Sequence, residues 1–200
     1  MPDQGVDKVT DKSIDKSTDK GRQSNAFVKQ KMYAALLRLL RSKAFSTISV
    51  SDLTSEAQVS RMSFYRNFNS IEDILTEHLN ELIVEYQRED EKIDAAGLEN
   101  IYYGKEYMVH SFQFLYKHHQ FFDILISCGM GDLFLSKITE YMLWKWVIPE
   151  HNTRKDSLLV SAFAGSVYNM YREWRKADYK DSPEDIAAIF YHAGKRTELS

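Results

Sequence analysis

Apolar residues along this chain recur at the three- and four-residue spacings of one helix face and nowhere alternate as a half-buried strand would, so the pattern predicts an all-α protein. The first helix is expected from about Asn25 to Ser42, with Phe27, Met32, Leu36, Leu39 and Leu40 on its buried face. Val50, Leu53 and Ala57 then repeat the spacing over about two turns, behind Ser49, whose hydroxyl can cap free backbone N–H groups. Gln58 and Val59 break the pattern and Ser60 can cap again. Phe64 and Phe68 follow one turn apart, which predicts a second short helix almost at once. Ser70 with Asp73 gives a capping-box-like start to a fourth helix, which continues through Leu75, Leu79, Leu82, Ile83 and Tyr86 to about Asp90. Beyond it, helices are expected over 100–118, 120–127, 131–147, 155–176 and 183–194, punctuated by Gly129, Gly131, Pro149 and Ser182-Pro183.

Two short helices joined this tightly cannot remain parallel, and they form a helix-turn-helix. Phe64 and Phe68 anchor its second member, which leaves Arg61, Ser63, Tyr65, Arg66 and Asn67 pointing outward. Those groups suit nucleic acid. Guanidinium forks match guanine, amides match adenine, and hydroxyls and phenols reach the phosphate backbone. With Ser49, Ser60 and Met62, which border the same surface, they make the expected DNA-binding set.

Quoted in order, Ala44-Phe45, Ser49-Val50, Leu53-Thr54, Ala57-Gln58-Val59-Ser60, Ser63-Phe64-Tyr65 and Asn67-Phe68 resemble the N-terminal motif of TetR-type transcriptional regulators. The resemblance covers residues 25–75 by motif, and the remainder by length, helical pattern and the stretch from Trp174 to Ala188. Three positions depart from the family's pattern. Gln58 replaces the usual turn glycine, at a cost of about 1 kcal/mol if its backbone is left-handed. Met62 stands where a glycine is common, which sets the backbone further from DNA. Ile71 stands where many members carry a phosphate-binding lysine.

The resemblance implies a domain order as well: a disordered tail over 1–23, a DNA-binding domain over 24–69, and a helical regulatory and dimerisation domain over 70–200. It implies a homodimer, in which the last two long helices of each copy form a four-helix bundle. Ala162, Gly165, Ser166 and Asn169 would permit close approach there, with Arg172 and Glu173 at the rim. It implies a ligand cavity among the helices of the body, for which Met108, Phe112, Trp144 and Phe163 are the first candidates. For any one aromatic or methionine, a place in the ordinary core is the simpler reading. The function so implied is a sequence-specific regulator, a repressor released from a palindromic double-stranded operator by a small molecule.

Charge changes the picture, because the chain's net −3 conceals an asymmetry. Residues 21–68 hold eight basic residues against two acids, a net +6, whereas residues 69–200 carry a net −8. A basic end on an acidic body directs a polyanion to one place, and its binding should weaken steeply with salt. In the first twenty residues Asp7-Lys8, Asp11-Lys12, Asp15-Lys16 and Asp19-Lys20 repeat every four positions with nothing that forms a core. A solvated tail is the expectation there; an arm that places Arg22 in the minor groove is the functional alternative.

Other classes fare poorly. No export signal is visible, and the most apolar stretch, 121–148, is interrupted by Asp123, Asp132, Lys137, Glu140 and Lys145, so no membrane span and a cytoplasmic location are expected. The single cysteine, Cys128, excludes an internal disulfide and reads as a buried, inert thiol. His118-His119 near Asp123, and Glu106 with His110, are sets of two or three ligands without a completing partner, so neither a metal nor a cofactor is expected. No Gly-rich phosphate loop or nucleophile elbow occurs. The alternative to a regulator is thus a helical protein-interaction module of the same fold that has lost specific DNA binding.

Overall fold

The computed structural model of the protein describes residues 13–94, 104–146 and 154–196. Among them are nine α-helices, one 3-10 turn at Phe45–Thr47 and no strand. The helices are α1 Ser13–Leu39, α2 Val50–Ala57, α3 Arg61–Asn67, α4 Glu72–Asp94, α5 Lys105–Lys117, α6 His119–Ser127, α7 Gly131–Trp146, α8 Arg154–Lys176 and α9 Pro183–Arg196. The chain divides into two compact units, Met1–Thr76 and Glu77–Ser200. The division lies inside the first turns of α4, and the buried Ile74 and Leu75 fall in the first unit.

In that unit Met32, Ala35 and Leu36 of α1 are buried together with Leu53 and Ala57 of α2 and with Phe64 and Phe68. Filling one such core with Leu and Phe side chains is worth about 1.5–3 kcal/mol per side chain and fixes the angles of three short helices that could not persist alone. α1 departs from expectation at both ends. It is helical from Ser13, where a disordered tail through residue 23 was expected, since an established helix extends outward at little further cost once nucleated. It stops at Leu39 rather than Ser42. Phe27, expected in the core, is 60% exposed, with the Lys31 ammonium 5.2 Å from its ring centroid.

The caps follow the sequence closely. Ser49 and Asp52 form a reciprocal capping box: Ser49 Oγ accepts from the Asp52 N–H at 3.1 Å and Asp52 Oδ2 accepts from the Ser49 N–H at 3.0 Å. These bonds from Ser49, with Lys43 beside them, hold the Asp52 carboxyl well below the usual range. Ser60 caps α3 through the Ser63 N–H at 3.0 Å. Between the two helices Gln58 adopts φ 54°, ψ 47°, the left-handed region. The Gln58 N–H donates to Ser55 O at 3.1 Å and the Val59 N–H to Thr54 O at 3.0 Å, the paired bonds of a Schellman motif. The sharp exit this gives is what lets α3 start three residues later.

The second unit packs α5 on α9 and α7 on α8, with α6 against α7. Its core is aromatic: Phe122 stacks on Phe134 at 4.5 Å, Phe112 meets Trp174 at 6.1 Å, and Phe163 meets Phe190 at 5.0 Å. A polar pin joins α6 to the end of α8. Asp123 Oδ1 accepts from Tyr179 at 2.6 Å and Tyr171 at 3.0 Å, and the Arg175 Nε lies 2.9 Å from it. Burial, with the carboxylate beside them, pushes both phenols above their ordinary range. At the start of α7, Gly131 lies so close to the Tyr168 hydroxyl that a Cβ there would collide with it.

Candidate functional site

On α3 the sequence pattern separates two faces. Phe64 is fully buried and packs on Phe68 at 6.0 Å, while Ser60, Arg61, Met62, Tyr65 and Arg66 are exposed. The Tyr65 ring, 60% exposed, stands edge-on to Phe64 at 5.2 Å, so the buried ring sets the base from which the phenol projects. Arg61 and Arg66 meet no acid among the described residues. Elsewhere in the unit both acids of the 21–68 segment are engaged, Arg38 with Glu56 at 2.5 Å and Lys43 with Asp52 at 2.9 Å. The guanidiniums of α3 are therefore left for an external anion.

Three residues of the expected set sit differently. Ser49 is exposed, but its hydroxyl is 2.6 Å from Asp52 Oδ2 within the capping box. The Asn67 amide donates to Ser63 O at 2.7 Å, and the Ser63 hydroxyl is 2.9 Å from that of Ser60. Both Ser63 and Asn67 are half-buried. Ser63 and Asn67 thus brace the helix, and the outward chemistry concentrates on Arg61, Met62, Tyr65 and Arg66. The half-buried, uncharged Ile71 offers no ammonium.

The second unit contains an apolar cavity of ≈ 70 Å³, walled by α4, α5, α6, α7 and α8 through residues such as Leu82, Tyr86, Phe114, Phe134, Tyr141 and Val167. None of the four candidates borders it. Met108 and Phe112 are buried in the packing of α5, Phe163 is buried against Trp146, and Trp144 is 69% exposed beside a separate cleft between α4 and α7. The difference has a physical cause: helical spacing tells which residues turn inward, but only the packing decides which inward side chains border a void. Leu82, Ile83 and Tyr86 of α4, already legible as its apolar face, were the available signal.

The residues singled out on α8 do form one stripe. Ala162, Ser166, Asn169, Arg172 and Glu173 are exposed, Gly165 has open space where a Cβ would stand, and exposed Leu158, Leu159 and Ile189 add apolar area on α8 and α9. The candidate metal ligands are dispersed. His118 Nε2 lies 3.3 Å from Glu85, the His119 ring bonds Tyr116 O at 2.7 Å, Asp123 is taken by the pin, and the His110 ring stacks on Tyr86 at 4.9 Å. Burial raises the pKa of the half-buried Cys128 thiol, which keeps it protonated and unreactive. No described helix is long and apolar enough to cross a membrane.

Two capped helices with an acid-free cationic face on the second, followed by a helical unit with an apolar cavity, define a helix-turn-helix DNA-binding regulator. Residues 33–77 match the family model described as bacterial regulatory proteins, tetR family. The fold is that of the Listeria innocua protein Lin0861, with a TM-score of 0.74, 15% identity, and coverage of 88% of this chain and 93% of that one. A Clostridium perfringens protein, provisionally described as a fatty acid metabolism regulator, gives a TM-score of 0.54 at 20% identity over 80% of this chain and 94% of its own. No curated protein matches the chain. Residues 33–77 thus carry a DNA-binding domain of the tetR type, and the chain as a whole has the fold of those two proteins.

Proposed function

We propose that the protein is a homodimeric, effector-responsive repressor that occupies a palindromic operator until a small molecule enters the cavity of its second unit. The observation that carries the reading is the division of α3 and its C-cap: Phe64 and Phe68 are committed to the core while Arg61, Tyr65 and Arg66 face outward, and no acid among the described residues pairs with either arginine. Seven residues of helix read only a few base pairs, so two copies held about one helical turn apart supply the rest of the specificity. The stripe on α8, together with exposed Ile189 on α9, is the surface through which we expect them to pair.

Regulation follows from α4, a single helix that begins in the first unit and contributes Leu82, Ile83 and Tyr86 to the cavity wall. An occupant that shifts α4 changes the separation of the two recognition helices. A 100-fold loss of operator affinity takes about 2.7 kcal/mol, within the usual range of allosteric coupling. The deciding experiment is selection of bound sequences from a random duplex library at moderate salt, with Arg61→Ala and Tyr65→Ala in parallel. An enriched palindrome is expected, and if Arg61 reads a base, Arg61→Ala costs about 1–3 kcal/mol and relaxes one operator position. No enrichment from a stable dimer would replace the repressor with the protein-interaction reading.

A further inference from the structure

Tyr141 belongs to two spaces at once. Its ring lines the apolar cavity, and it also borders a cleft of ≈ 240 Å³ formed by Gln87, Asp90 and Glu91 of α4 with Trp144 and Lys145 of α7. Its hydroxyl donates to Asp90 Oδ2, and Lys145 Nζ lies 2.6 Å from the same oxygen. Asp90 is 2% exposed, the one charged residue buried to that degree among the described residues. Its other oxygen, Oδ1, accepts no hydrogen bond; His110 Nε2 lies 3.9 Å from it, buried and equally without a hydrogen-bond partner. A buried carboxylate tolerates its desolvation only through its donors, and both donors here come from α7 onto one oxygen. The bond from Tyr141 is therefore a support that α4 cannot replace from elsewhere.

We infer that Tyr141 reports occupancy of the cavity to α4, and that the occupant is an uncharged, mostly apolar molecule about the size of an aromatic ring system. This rests on the proposed reading of the cavity as the effector site. The walls have nothing to pair with a charge. Lys137 is the one cation in the lining and its ammonium is 2.8 Å from Glu140, while the Tyr86 and Ser111 hydroxyls are 2.7 Å apart. The void already exceeds the room one water needs several times over, and its apolar lining favours a guest other than water. Tyr86 meets Tyr141 edge-on at 5.3 Å and Phe114 at 5.0 Å, a geometry that a flat ring can extend.

A guest seated against these rings displaces the Tyr141 ring and withdraws its hydroxyl from Asp90. With Oδ1 already bare, the carboxylate then gains water through the cleft beside the exposed Trp144, and the last turns of α4 loosen. The test uses the full chain with indole and its charged analogue indole-3-carboxylate at matched millimolar concentrations. Thermal shift reports binding, and amide exchange over residues 86–94 reports α4.

In the wild type, indole raises Tm and speeds exchange at the end of α4 about fivefold or more, the lower limit of ordinary coupling, whereas the carboxylate does neither. Ile138→Phe, which fills the cavity, abolishes both effects of indole. Tyr141→Phe keeps the ring and so keeps the Tm rise, but its exchange is fast without indole and does not increase with it. An exchange response in Tyr141→Phe equal to wild type would overturn the role of Tyr141; equal stabilisation by the two probes, or none by indole, would overturn the ligand class. Failure of the repressor reading shows separately, as unliganded protein that selects no duplex, and leaves these exchange outcomes intact.

Discussion

Gln58→Gly should stabilise the DNA-binding unit, and the amount can be worked from one backbone angle. Gln58 stands at φ 54°, ψ 47° as the left-handed residue of the Schellman motif that ends α2. A residue with a Cβ pays about 1–2 kcal/mol to hold that conformation, and glycine pays nothing for it. Glycine in turn gives the unfolded chain freedom worth about 0.4–1 kcal/mol. The difference leaves a gain of about 0.5–1 kcal/mol. The exposed Gln58 side chain makes no hydrogen bond among the described residues, so nothing else is lost there. The same end is built with glycine elsewhere: Gly129 after α6, at φ 79°, carries the equivalent pair of bonds, Gly129 N to Ile126 O at 3.0 Å and Met130 N to Leu125 O at 3.0 Å. Gly129→Ala should therefore lose about what Gln58→Gly gains. Amide exchange in α2, read under conditions where the unit opens as a whole, gives the first value, and exchange in α6 gives the second. Gln58→Ala is the control, since it removes the side chain but keeps the Cβ, and no gain is expected from it. Equal stabilisation by alanine and glycine would refute the argument, because the effect would then belong to the glutamine side chain and not to the backbone.

Other consequences follow from the second unit. Asp123→Ala strips the pin of the acceptor shared by Tyr171, Tyr179 and Arg175 and should cost about 2–3 kcal/mol in chemical denaturation. Burial lowers the pKa of His110 and of His118 below the ordinary 6.5, against the opposing pull of Asp90 on the first and Glu85 on the second. The unfolded chain then binds protons that the folded chain refuses, so stability should fall as pH drops through the region below 6.5; His118→Gln should flatten the urea midpoint against pH there. Ala162→Arg places a bulky charge in the middle of the exposed stripe on α8 and should convert the proposed dimer to a monomer by light scattering, with α-helical content unchanged.

The parts of the fold that were legible in the sequence are those decided locally. Ser49 and Ser60 are followed three residues later by the groups they cap, and Phe64 and Phe68 are a turn apart, so α2, α3 and their turn follow from interactions spanning a few residues. The same locality explains why Arg61, Tyr65 and Arg66 could be placed outside: on so short a helix, two anchoring rings leave one other face. The cavity was not legible because its walls come from α4, α5, α6, α7 and α8, and Met108 and Phe112 turn inward as surely as Phe114 does without bordering the void. Asn67 sits differently from its expected outward place for another reason. Its composition suits a base edge, but its amide finds Ser63 O one turn back, at 2.7 Å, before any ligand arrives.

The same distinction bears on regulation. A helix as long and continuous as α4 can act as a lever, but continuity alone says nothing about what moves it. The force has to enter through groups whose bonding changes when the cavity fills. Among the described residues that requirement narrows to Asp90, buried, short of one hydrogen bond, and held by a tyrosine whose ring is part of the cavity wall. An apolar residue at 90 would give α4 a better-packed end and no means of registering a guest. The cost of keeping a charge there is what the proposed response of α4 to a ligand draws on.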